Sequence, residues 1–352
     1  MSHYHTHPFY FPTTVVFVDD STDFLENLSL QLAPTLAFRL YDAPSVALAE
    51  LNDAVRQHTP IEMFFSRYRD TDDLPLTHHV IDLNLDKIHR ELHNESRFEQ
   101  VSVAIVDYDM PSMGGIEFCR SIKNPAIKKI LLTGKADEKI AVQAFNQGVI
   151  DRFILKQDKT VIDILNQSIH ELQHDYFKQN ERMLTDALAV GRHAFLRDPL
   201  FSERFQEICN RLNIVEFYLC SEPDGILMLT ADGASSLLLI PDEDARLSQY
   251  EIAYDQGAPQ ELLEALKSNE VLPYFWKTGG HYRPECRNWQ DFLLPATEFK
   301  GKQWYIYAIA SNPPAYKTDF VLSYHEFLDN LDQQERKGGY QRVNVDPPYR
   351  PF

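Results

Sequence analysis

Several polar residues of this chain stand directly behind short apolar runs. Val15-Val16-Phe17-Val18 leads into Asp19-Asp20, and Val103-Ala104-Ile105-Val106 leads into Asp107. Ile130-Leu131-Leu132 leads into Thr133-Gly134, and Phe153-Ile154-Leu155 leads into Lys156. Runs of this kind suit strands buried on both faces of a parallel sheet. Parallel strands bring their carboxyl ends to one edge, where open α/β folds hold ligands. Three carboxylates, a hydroxyl and an ammonium would then converge. Hard oxygen donors suit a divalent cation. A carboxylate nucleophile beside such a cation could accept a phosphoryl group as an acyl phosphate. Taken singly, each residue has an ordinary reading as a helix cap, a turn or a surface side chain. It is their recurrence at four strand ends that carries the chemistry.

The elements that would position them alternate. Residues 14–18, 38–41, 101–106, 129–132 and 152–155 read as strands. Helices fit at 21–32, with Phe24, Leu25, Leu28 and Leu32 on one face, at 45–55, 114–123 and 137–147. Gly148 closes the last of these. Such alternation predicts an α/β fold, a doubly wound five-stranded parallel sheet. One stretch breaks the rhythm: 87 residues separate Asp20 from Asp107, where two crossovers need roughly 60. The surplus, about residues 57–98, reads as an insertion before the third strand. It carries the acidic turn Asp70-Thr71-Asp72-Asp73 and a predicted helix over 81–93. A docking element and passive decoration both fit it.

With these residues in place, residues 12–157 apart from the insertion resemble the CheY-like receiver domain of two-component response regulators. The Asp19-Asp20 pair, the run Asp107-Tyr108-Asp109-Met110-Pro111-Ser112-Met113-Gly114-Gly115, Thr133-Gly134 and Lys156 match its motifs. The resemblance implies that Asp107 is the phosphoacceptor, served by a sensor histidine kinase or phosphotransfer protein. It implies Mg²⁺ as cofactor, held by Asp19, Asp20, Asp107 and the backbone carbonyl of Asp109. Thr133 and Lys156 would contact phosphoryl oxygens, and Phe153 would be the switch aromatic. Asp109 and Lys135 would flank the path of the hydrolytic water, where an ion pair would slow self-dephosphorylation. The usual proline after the lysine is replaced by Gln157.

The remainder divides by pattern. Residues 1–158 read as the receiver, 159–189 as a helical connector that could pair with a second copy, 190–332 as an α+β output domain, and 333–352 as a flexible tail. Ile214–Cys220 and Ile226–Leu229 flank a hairpin turn at Ser221-Glu222-Pro223-Asp224-Gly225. No recognition-helix, cyclase or phosphodiesterase run appears, so no separate enzymatic output is expected. His193, His281 and Cys286 have no metal-site spacing, and Tyr282, Trp289, Trp304 and Tyr305 fit a core better than a ligand cleft. The output is expected to be a noncatalytic sensory or protein-binding module working through a phosphorylation-promoted homodimer. The alternative is an atypical DNA-binding or nucleotide-binding regulator, as in quorum-sensing response regulators of the Legionella kind.

Charge weighs against nucleic acid. The chain carries a formal charge of −18, and binding to polyanions rests on Lys and Arg neutralising phosphates. From residue 184 onward 16 Lys and Arg face 25 Asp and Glu. Four cysteines without a paired spacing point to a reduced, cytoplasmic protein. No apolar run reaches the ~20 residues that cross a bilayer. The alternating His3, His5 and His7 read as a solvated terminus.

Overall fold

The structure is a computed structural model that describes residues 6–53, 65–68, 80–83, 85–134, 138–188, 192–318 and 320–338. Two compact units emerge, and neither is one continuous stretch of chain. Residues 12–58, 96–179 and 324–352 form one; residues 1–11, 59–95 and 180–323 form the other. The contiguous division expected from sequence pattern differs from this at four places: the first residues, the insertion, the 159–189 connector, which is divided after Gln179, and the C-terminal segment.

The first unit is built on a five-stranded sheet. Its strands run, edge to edge, Phe38–Tyr41, Thr14–Val18, Val101–Asp107, Lys128–Thr133 and Arg152–Leu155, all parallel. The Thr14–Val18 strand is buried at every position, as a strand covered on both faces must be. Val15 and Phe17 pack on one face with Leu25 and Leu28 of the Thr22–Ser29 helix. Val16 and Val18 pack on the other with Ala47, Leu51, Phe118 and Cys119. The sequence alternates by one residue and the sheet sorts the two sets.

The helix after the last strand runs unbroken over Val161–Leu188, 28 residues. It is not only a connector. Leu165, Ile169 and Leu172 belong to the core beneath the sheet, and Gln173 Nε2 donates to the Thr13 carbonyl at 3.1 Å. The same unit also takes in the Tyr324–Gly338 helix. The Tyr324 hydroxyl donates to the Thr35 carbonyl at 2.7 Å and accepts from the Ala37 amide at 3.1 Å. Phe98 packs against the rings of Tyr324 and Phe327. This helix runs across residue 333, where the tail was expected to begin, as far as Gly338.

The second unit holds a seven-stranded antiparallel sheet in the order Phe9–Tyr10, Ile214–Ser221, Asp224–Thr230, Ser235–Leu239, Trp304–Ser311, Leu293–Lys300, Val271–Pro273. The predicted hairpin is present, with Asp224 opposite Ser221. Asp198 caps the Pro199–Leu212 helix by accepting from the Leu200 amide. The helix predicted over 81–93 is corrected. Val80–Leu83 pairs with Phe65–Tyr68 as an antiparallel ribbon, and helix begins only at Asp86, turning to 3₁₀ over Glu91–His93. Its β-branched Val80-Ile81 start satisfies a ladder instead of a helical turn. This insertion helix docks within the second unit: Asp86 Oδ1 accepts from the Ser221 hydroxyl at 2.9 Å, and His89 meets Tyr316 edge to face at 5.8 Å. The acidic turn at 70–73 lies outside the described residues.

Candidate functional site

The parallel register delivers the strand ends to one place. Asp19 leaves the first strand with its amide bonded to the Tyr41 carbonyl at 3.1 Å, and Asp107 ends the central strand. Thr133 ends the next, and the Lys156 amide donates to the Thr133 carbonyl at 3.0 Å. The carboxylate oxygens of Asp19, Asp20 and Asp107 lie within 4.8 Å of one another. Lys156 Nζ donates to Asp19 Oδ2 at 2.6 Å and approaches Asp107 Oδ1 at 2.8 Å. Asp19 and Asp107 are buried, whereas Asp20 is exposed.

The electrostatics follow from this sharing. Burial opposes the charge on Lys156, but hydrogen bonds and the charges of Asp107 and Asp19 outweigh it and hold its ammonium above the ordinary lysine range. Burial pushes the Asp19 carboxyl up, against the pull of Lys156 and the Ser21 amide. The two partners therefore do not settle each other: one ammonium serves two carboxylates. Three carboxylates and one ammonium leave two negative charges, which one divalent cation would neutralise. The donor set, all carboxylate oxygen with one member open to water, fits Mg²⁺.

Backbone closeness shapes the floor. Gly115 donates its amide to the Tyr108 carbonyl at 3.0 Å. A Cβ there would sit 2.1 Å from the Asp107 carbonyl oxygen, so only glycine lets the helix start pass so near Asp107. The Thr133 side chain is buried and its hydroxyl donates to the Gly134 carbonyl at 3.2 Å. Phe153 is half-buried against the core that includes Val18, Val106 and Leu131. Asp109 is exposed, and Lys135 lies outside the described residues. Asp19, Asp20, Asp107 and Lys156 are thus brought together, with Thr133 at the adjoining strand end. Phe24 was missed as a site residue: Lys156 Nζ lies over its ring, 4.3 Å from the centroid.

Other candidates do not assemble. Tyr282, Cys286, Phe275 and Phe292 share a hydrophobic core, with Trp289 packed against it. Trp304 is exposed at 66% while Tyr305 is buried. Among the described residues no further group of three metal-ligating side chains converges, so His193, His281 and Cys286 form no such centre.

A family model for the response regulator receiver domain matches residues 82–165. That span includes Asp107, Thr133, Phe153 and Lys156, and it begins beyond Asp19 and Asp20, which the insertion separates from the rest. The structure of the Legionella pneumophila response regulator LqsR is similar at 38% identity, covering 95% of this chain and 99% of that chain, with a TM-score of 0.76. An uncharacterized protein from Neptuniibacter caesariensis matches at 20% identity, covering 49% of this chain and 96% of that one, with a TM-score of 0.34. The signal receiver domain of an HD domain-containing protein from Pseudomonas fluorescens Pf-5 matches at 18% identity, over 49% of this chain and 95% of that one, with a TM-score of 0.33. No curated protein matches the chain. The acidic strand-end site, the matched receiver model and the near-complete coverage of LqsR lead to one conclusion: this chain belongs to the response regulator family, as a receiver domain joined to a further domain outside the receiver.

Proposed function

We propose that Asp107 accepts a phosphoryl group from the phosphohistidine of a sensor histidine kinase or phosphotransfer protein. The Asp107 carboxylate oxygen forms a bond to phosphorus as the phosphorus–nitrogen bond of the donor breaks, and the electron pair returns to the imidazole. Asp19, Asp20, Asp107 and the Asp109 backbone carbonyl would hold Mg²⁺, which supplies charge neutralisation for the transferring group. Lys156 pairs with the Asp107 carboxylate at 2.8 Å and offers its ammonium to a phosphoryl oxygen. Thr133 gives up its bond to the Gly134 carbonyl for another phosphoryl oxygen, and Phe153 turns into the space vacated. The observation that carries this reading is the grip of one ammonium on two buried carboxylates beside a third.

The readout proposed is a change in homodimerisation, or in protein contacts, of a noncatalytic second domain in a cytoplasmic protein. A nucleotide-binding or DNA-binding output of the quorum-sensing kind is the alternative. Asp109 with Lys135 is proposed to slow loss of phosphate. Acetyl phosphate or beryllofluoride with Mg²⁺ should modify the parent and leave Asp107→Asn untouched, as read by intact mass and by sedimentation. No adduct on the parent would overturn the reading.

A further inference from the structure

We propose that Phe24 is the positioning residue for Lys156, and that its ring face sets how fast Asp107 takes up phosphate. This rests on the phosphoacceptor reading above. Lys156 Nζ has three fixed neighbours: Asp19 Oδ2 at 2.6 Å, Asp107 Oδ1 at 2.8 Å and the Phe24 ring at 4.3 Å. The two carboxylates are the groups expected to change charge during the reaction. The ring is a neighbour whose attraction for a cation does not depend on their state.

The ring's place is built from the same carboxylate. Asp19 Oδ1 accepts from the Ser21 amide at 2.9 Å. Ser21 caps the Thr22–Ser29 helix, and its hydroxyl accepts from the Phe24 amide at 3.3 Å. Asp19 thus holds the lysine through one oxygen and orients the turn bearing Phe24 through the other. Phe24 is half-buried, with one side against the core formed by Leu25, Leu28 and Leu165. Packing fixes the ring from beneath and leaves it facing the ammonium. A purely packing residue would serve as well if it were leucine, which has no π face.

The test uses the full chain. Phe24→Leu keeps the bulk and removes the face; Phe24→Trp keeps the face. Uptake from acetyl phosphate with Mg²⁺ is followed by intact mass, and rescue by the aromatic variant separates the ring face from simple packing. Phe24→Leu should slow uptake about five-fold, the size of a partly solvated cation–π contact expressed as a rate. Phe24→Trp should stay within about two-fold of the parent. A parental uptake rate in Phe24→Leu, or equal losses in both variants, overturns the proposal. If Phe24→Leu does not fold, Phe24→Met takes its place in the same comparison. If the parent takes up no phosphate, the phosphoacceptor reading falls and the proposal falls with it, whereas a parent that reacts beside an unslowed Phe24→Leu overturns the proposal alone.

Discussion

At the scale of single residues, Asp19 is the most heavily used group in the site. It accepts a backbone amide, grips Lys156 and places a carboxylate oxygen within 4.8 Å of those of Asp20 and Asp107. Gly115 is the quieter requirement. Its missing Cβ is what lets the Asp107 carbonyl lie where it does. Gly115→Ala should cost about 1–3 kcal/mol as an overpacking defect and should impair phosphate uptake, measured by urea unfolding and by intact mass. Two histidines carry a pH dependence in the antiparallel-sheet unit. Burial holds His89 and His193 below the ordinary histidine range. The unfolded chain then binds protons that the folded unit refuses, so stability is full above about pH 6.5 and is lost as pH falls below it. Thermal melts at pH 7.5 and 5.5 should differ in that direction, and His193→Gln should narrow the difference. Asp19, Asp20, Asp107, Thr133 and Lys156 were legible in sequence because strand ends converge by rule. Phe24 was not, because its place in an apolar stripe explains it fully until the lysine's position is known.

At the scale of elements, what was readable tracked periodicity. The five parallel strands and the long helix from Val161 could be read because buried strands are continuous apolar runs and helices repeat near 3.6 residues. The insertion helix was overextended for lack of a visible stop; a four-residue ribbon strand decided against it. The C-terminal helix was readable but was masked by the composition of the residues beyond it. Tyr324, Phe327, Leu328 and Leu331 form a complete i, i+3, i+4, i+7 stripe, all buried, but Gly338-Gly339 and the later prolines give the region a loop-like composition. Its docking has a direct test. Tyr324→Phe removes the hydroxyl's two backbone bonds and should cost about 1–3 kcal/mol. Ending the chain at Ser323 should do more, since it uncovers Phe98 as well. Calorimetry of the three proteins should rank them in that order.

At the scale of the whole molecule, charge and connectivity dominate. A formal charge of −18 disfavours any partner that is itself a polyanion. Gel shifts at about 0.15 M salt should therefore retain no duplex DNA, with or without beryllofluoride; a stable, salt-sensitive complex would favour the DNA-binding alternative. No helix among the described residues is long and apolar enough to cross a membrane.

The chain passes from one unit to the other five times, after Phe11, His58, Glu95, Gln179 and Ser323. A gene fusion that moved either unit as a cassette would have to cut at several of those points at once. Any single breakpoint would leave a strand, an insertion or a helix on the wrong side. Descendants of such a gene are therefore expected to inherit both units together, diversifying by point change and loop growth instead of by exchange of outputs.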